Sequence, residues 1–142
     1  MATIEETKEY LNQVRMARQK LIQADAQLAE MRTTSNGLTT SYSIGGRSNH
    51  ISDLSDYMAM FIKEEMMLEK QKQYWLEKRI EIKSFINSLK IPKQLEYLRT
   101  ILILKYVSMK TFGYIADSIG YDEKHVVKVL HPKALEIAAR SL

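Results

Sequence analysis

The chain has no cysteine. That excludes disulfides and thiolate metal sites, and it fits a reducing compartment. Its 142 residues include only two prolines and five glycines. Long stretches contain neither, and this scarcity of helix breakers predicts an all-α protein. No apolar run nears the ~20 residues that cross a bilayer, so no membrane partner is expected. The opening MATIEETKEY is acidic and polar, unlike a secretory signal, which points to the cytoplasm. The constellations of an enzyme are also missing. His50, His125 and His131 lack the i, i+4 spacing of a helical metal pair. No serine sits in a nucleophile elbow, and no glycine-rich nucleotide fingerprint occurs. Glu5-Glu6 and Glu64-Glu65 fall on helix faces expected to be solvated. The chain is therefore read as a non-enzyme with no catalytic residue, cofactor or metal.

What the chain does have is periodicity. Leu54, Phe61, Leu68, Trp75, Ile82 and Leu89 recur every seven residues, with Ile51, Met58, Glu65, Lys72, Arg79 and Ile86 as the companion line. This predicts one long helix over 51–89 with a coiled-coil-like seam, roughly 58 Å long at 1.5 Å per residue. Glu65, Lys72 and Arg79 would set charge in mid-seam and favour specific pairing. Tyr57, Ile62, Met66, Met67, Leu76 and Phe85 broaden the apolar surface. A second helix is expected over 3–31, where Leu11, Val14, Ala17, Leu21, Ala24, Leu28 and Met31 repeat at spacings of three and four. Thr3 with Glu6 forms a candidate capping box at its start. Residues 33–50 are rich in Ser, Thr, Asn and Gly without helical period, and predict a flexible loop. Gly45-Gly46-Arg47 within it lacks the spacing of a P-loop. Residues 1–89 thus read as one domain, a long antiparallel hairpin for oligomerisation or partner binding. The same stripes can pair between chains. A homo-oligomer, a dimer first of all, is expected through Leu54, Met58, Phe61, Leu68, Trp75 and Ile82, and Trp75 is assigned to packing.

Residues 90–142 form the second expected domain. The first 89 residues are charge-balanced, so the whole net charge of +4 sits here. IPKQLEYLRTILILKYV, residues 91–107, opens with Pro92 and predicts a helix with Leu95, Leu98, Ile101, Leu102 and Leu104 on its apolar face. MKTFGYIADSIGYDEKHVVKVLHPKAL, residues 109–135, predicts a helix-turn-helix. Thr111 caps the first helix, which runs to about Ser118 with Phe112, Ile115, Ala116 and Ile119 inward. Gly120 makes the turn, being free to take φ > 0. Asp122 caps a second helix with Val126, Val129 and Leu130 inward and Glu123, Lys124, His125, Val127, Lys128 and His131 outward. Such a helix enters the DNA major groove. Lys124, His125 and Lys128 are the leading base contacts, His125 being equally at home as a plain surface histidine. Lys110 and Thr111 would hold phosphates. Pro132 predicts that the recognition helix ends or kinks near Leu130, with a last helix opening at His131-Pro132.

In Ile101-Leu102-Ile103-Leu104-Lys105-Tyr106, Thr111-Phe112, Ile115-Ala116, Ile119-Gly120-Tyr121, His125-Val126 and Ala134-Leu135 the chain resembles region 4 of sigma-70-type factors. It looks most like small phage-encoded regulators of the ArpU or late-transcription-regulator type. The likeness covers roughly residues 91–140, and more weakly 57–90. One residue more than the usual spacing separates Val126 from Ala134-Leu135. The resemblance implies an all-α protein whose helix-turn-helix binds double-stranded DNA at promoters in a bacterial host cell, with RNA polymerase a further candidate partner. Two other functions compete: a DNA-packaging adaptor like a small terminase subunit, and a helical protein-binding inhibitor with no DNA role.

Overall fold

The computed structural model describes residues 2–45 and 48–142, as backbone alone over 34–45 and 48–54. Among these residues the regular structure is helical, with no strand. The elements are α1 (Ile4–Leu11), α2 (Gln13–Gly45), α3 (Ser48–Asn87), a 3₁₀ turn (Lys93–Leu95), α4 (Tyr97–Leu102) running into a first π turn (Ile103–Val107), α5 (Phe112–Ile119), α6 (Glu123–His125) running into a second π turn (Val126–Leu130), and α7 (His131–Ser141). They fall into two compact units: Met1–Met16 with Leu76–Leu142, and Ala17–Trp75. The expected boundary at 89/90 lies inside the first of these.

The second unit holds most of α2 and α3. Tyr57 donates its O–H to the Met31 carbonyl at 2.8 Å, tying α3 to α2. On α2 the covered residues are Ala17, Leu21, Ala24, Leu28 and Met31, the expected stripe. On α3 they are Phe61, Glu64, Leu68, Gln71 and Trp75, continued along the same helix in the other unit by Lys78, Ile82, Phe85, Ile86 and Leu89. From Phe61 on, the seven-residue line is covered, whereas its expected companion line is covered only at Ile86 among the described side chains, because Met58, Glu65, Lys72 and Arg79 are exposed. The apolar ends of that line favour one neighbour of the heptad position. The fold uses the other, where the long stems of Glu64, Gln71 and Lys78 can lie along the seam with their polar ends outward.

Two expected breaks also differ. The loop over 33–50 is helical to Gly45 and again from Ser48, while residues 46–47 lie outside the described residues. Ser, Thr and Asn disfavour a helix by less than ~0.7 kcal/mol each, and a nucleated helix gains a hydrogen bond for every residue added. Conversely, the single helix over 3–31 is interrupted at Asn12. Its capping box is present: Thr3 Oγ1 accepts from Glu6 N–H at 3.1 Å, and Glu6 accepts from Thr3 N–H at 3.3 Å.

The first unit is built around α4, α5 and α7. Leu98, Ile101, Leu102, Ile115, Val126, Ala134 and Leu135 are almost wholly buried there, with Ile82 and Ile86 from α3. Full burial of each large aliphatic chain contributes roughly 1.5–3 kcal/mol. α1 packs along α7, where Ala2 N–H donates to the Ala139 carbonyl at 3.2 Å. Tyr10 meets Phe85 edge-on at 5.2 Å.

Candidate nucleic-acid interface

The end of α3 fixes α4, which with the π turn after it forms the support helix. Arg99 of α4 donates to the Ile86 carbonyl and, at 2.9 Å, to the Leu89 carbonyl, while pairing with Glu96 at 2.6 Å. One guanidinium thus reaches two carbonyls at the α3 C-terminus, that of Leu89 and that of Ile86, which also accepts from Leu89 N–H at 3.2 Å, and it orients α4 against α3. The support helix then closes in a left-handed cap. Met109 has φ 55°, and Lys110 N–H reaches back to the Leu104 carbonyl at 2.8 Å. The bond spans one residue more than the six-to-one bond of a Schellman motif, because it closes a π turn, and methionine stands where glycine is usual.

The next turn follows the sequence closely. Thr111 caps α5, accepting from Tyr114 N–H at 3.2 Å. Gly120 ends it in the left-handed region at φ 76° and ψ 30°. Gly120 and Tyr121 both donate to the Ala116 carbonyl, at 2.9 and 3.1 Å. Asp122 has the extended backbone of a cap, but its carboxylate makes no cap hydrogen bond.

Past His125 the helix departs from the α period. In the second π turn His131 N–H donates to the Val126 carbonyl, five residues back. Leu130 and His131 keep right-handed helical angles, so the rod neither ends nor breaks before Pro132. Pro132 stands in the first turn of α7, as expected. A π turn inserts one residue, so everything beyond it rotates by about one position, roughly 100°. Two expectations fail for this reason. His131, expected outward as a DNA contact, is 8% exposed, and Val129, expected inward, is 48% exposed.

The first π turn follows α4, and beyond it Tyr106 and Val107 both lie buried, four and five residues after Leu102. Tyr106 and His131 meet. Tyr106 Oη and His131 Nε2 are 2.7 Å apart in a buried hydrogen bond, and the Phe112 ring packs edge-on against the imidazole at 5.0 Å. Burial pushes the Tyr106 hydroxyl up to about 12. It pushes His131 down to about 4, with Lys8 and Lys105 adding to the fall. His131 is therefore a neutral core group at pH 7 and lends no charge to a surface.

Six other candidates for DNA contact, Lys110, Thr111, Lys124, His125, Val127 and Lys128, are exposed. His125 is held by stacking on Tyr121 at 5.6 Å, which itself stands against Tyr97 at 5.3 Å. Lys110 lies over the Tyr114 ring at 4.9 Å. Glu123 is exposed too, but its carboxylate is turned toward α5, where a Cβ on Gly113 would lie 3.7 Å from Oε2. There it faces the positive end of α5, the natural place for a carboxylate. Part of the basic excess lies elsewhere. Lys90, Lys133 and Arg140 rim a groove of about 510 Å³, with Pro92, Leu95 and Ile137 supplying apolar wall.

The expected oligomerisation residues divide. Leu68 and Ile82 are buried within the chain itself, Phe61 and Trp75 are half-buried, and Met58 is exposed. The side chain of Leu54 lies outside the described residues. The heptad line is therefore spent on intrachain packing. Ile62 and Met66, more than half exposed, are among the apolar residues of α3 left uncovered, with Met58, Met60, Met67, Leu76 and Ile80. No group of acidic, histidine or cysteine residues able to hold a metal occurs among the described residues. No family model matches the chain, and neither the curated proteins nor the solved structures contain a match.

Proposed function

We propose that the chain is a sequence-specific DNA-binding transcription regulator of phage type, acting at promoters, with α6 and the second π turn as its recognition segment. One observation carries the reading. Lys124, His125, Val127 and Lys128 stand exposed on one helical rod behind a threonine cap and a left-handed glycine turn, while Val126 and Leu130 anchor that rod from beneath. A helix fixed on one side and bare on the other is what major-groove readout needs. The second π turn also answers the one departure from the sigma region 4 pattern. The additional residue after Val126 is taken up inside the rod, and Ala134 and Leu135 remain buried. In this reading Lys110 and Thr111 hold phosphates, and Glu123 and His131 position the rod without touching DNA.

Self-association goes with the proposal, through Met58, Ile62 and Met66 in place of the buried heptad line. RNA polymerase remains a proposed partner. A footprint on genomic DNA from the source tests the reading, with protection expected at a promoter. Protection at a packaging start would point instead to a terminase-like adaptor. The variant Lys124→Ala/Lys128→Ala should keep its fold, since exposed changes shift stability by less than ~0.5 kcal/mol. Its specific binding should weaken by about 1–3 kcal/mol for each lysine that reads a base edge. Wild-type binding by this variant at matched salt would refute the recognition assignment.

A further inference from the structure

Three cations from separate segments gather on one flank of the helix-turn-helix, and none has a role so far. Lys8 lies on α1, Arg15 near the start of α2 and Lys105 in the first π turn. α1 runs antiparallel to α7: Ala2 bonds to Ala139, and six residues later Lys8 is close enough to His131 to act on it electrostatically. Lys105 Nζ sits 4.1 Å from the centre of the Phe112 ring, and that ring packs on the same His131. Arg15 in turn acts on Lys105, whose ammonium is held below the usual lysine value by burial and then by Arg15. Phe112 directly follows Thr111, so the cluster borders Lys110-Thr111.

Counter-charge here is thin. Glu5 pairs with Lys8 at 3.7 Å, but the pair is exposed, 40% and 82%, and such pairs contribute little. Glu123 is turned to Gly113. Among the described residues, the charges that shift Lys105 and His131 are cations: Arg15 on the first, Lys8 and Lys105 on the second. Cations held near one another with so little compensation repel, and an approaching polyanion relieves that repulsion.

We propose that Lys8, Arg15 and Lys105 form a phosphate clamp for the duplex backbone, so that the first helices of the chain hold DNA together with the helix-turn-helix. The clamp rests on the DNA-binding reading above. Its contribution is independent of base sequence, because phosphates carry no sequence information.

The test uses the full chain and a random-sequence 30-base-pair duplex, with binding followed by fluorescence anisotropy over a range of KCl concentrations. Each phosphate contact contributes about 0.9 to the slope of log K against log salt. Arg15→Gln/Lys105→Gln should reduce that slope by about 2, and the exposed single change Arg15→Gln by about 1. Arg15→Lys/Lys105→Arg should restore it, which a merely structural role of either side chain would not do. Lys124→Ala/Lys128→Ala should instead erode the preference for a footprinted site. A wild-type slope in the Gln variants, with binding still weakened by Lys124→Ala/Lys128→Ala, overturns the clamp and leaves the DNA reading standing. Failure of the conservative pair to restore the slope also overturns it. No binding of any duplex by the wild-type chain at low salt removes the DNA reading, and the clamp with it.

Discussion

The two units keep different time. Within Ala17–Trp75 the helices hold the α period, and every covered residue falls at a spacing of three or four from the last. In the other unit α4 and α6 each run into a π turn, where the backbone bond spans five residues, Ser108 to Ile103 and His131 to Val126. A regular helix propagates an error in register along its whole length. A π turn confines it, because the inserted residue has a place to go. The contrast shows where this chain tolerates a change of length and where it does not.

Deletions give the largest expected effect. Removing Gln73 from α3 turns Trp75, Ile82, Ile86 and Leu89 away from the face that the preceding residues define. At roughly 1.5–3 kcal/mol for each side chain uncovered, the loss is of the order of a whole domain stability, about 5–15 kcal/mol. The expected result is a chain with no cooperative thermal transition. Removing Val129 together with Pro132→Ala should convert the second π turn to an α turn with Val126 and His131 still on one face. Calorimetry should then show a cooperative transition. If both deletions behave alike, the contrast between the units fails.

A smaller effect concerns the group that the two π turns bury. The unfolded chain takes up a proton on His131 near pH 6.5, and the folded chain only near pH 4. Between those values the unfolded state binds more protons, so stability falls as pH is lowered through this window. The whole loss is up to about 3 kcal/mol. Urea melts at pH 7.5, 5.5 and 4.5 should show it, and His131→Phe should flatten the dependence. An unchanged pH profile in that variant would place the imidazole in water.

Much of this was legible in the sequence, and the reason for each failure is physical. Leu11 to Met31 and Phe61 to Leu89 read correctly because a straight helix repeats its geometry. Thr3, Thr111 and Gly120 read correctly because caps and left-handed turns depend on nearest neighbours. His131 and Val129 misread because a π turn has no residue signature of its own, and Pro132 was its one local trace. Arg99 reads in the sequence as one more charge on a helix, since its carbonyl partners lie ten and thirteen residues away. The packing of α1 on α7 joins opposite ends of the chain, and no local pattern announces it.

The smallest effects concern the two left-handed residues that flank α5, Met109 and Gly120. Met109→Gly removes a side chain from a conformation that costs L-residues roughly 1–2 kcal/mol, though glycine gives back part of this in the unfolded chain. A net gain below ~1 kcal/mol is expected. Gly120→Ala should cost about 1 kcal/mol from backbone strain alone, because an added Cβ there meets nothing within 4 Å. Chemical denaturation reads both. A loss on Met109→Gly would show that the methionine side chain contributes more than its backbone strain costs.

Ala2 bonded to Ala139 means that the earliest helix is completed by the latest. During synthesis α1 leaves the ribosome well over a hundred residues before the surface it covers exists. Thr7 and Leu11 of α1, both buried in the finished molecule, are not fully covered until α7 emerges. Closing so large a loop carries an entropic cost that grows only logarithmically with its length, so the delay is in time far more than in free energy. A ribosome that stalls within the last turns of α7 would hold a chain whose α2 and α3 are already paired while α1 still lacks its partner.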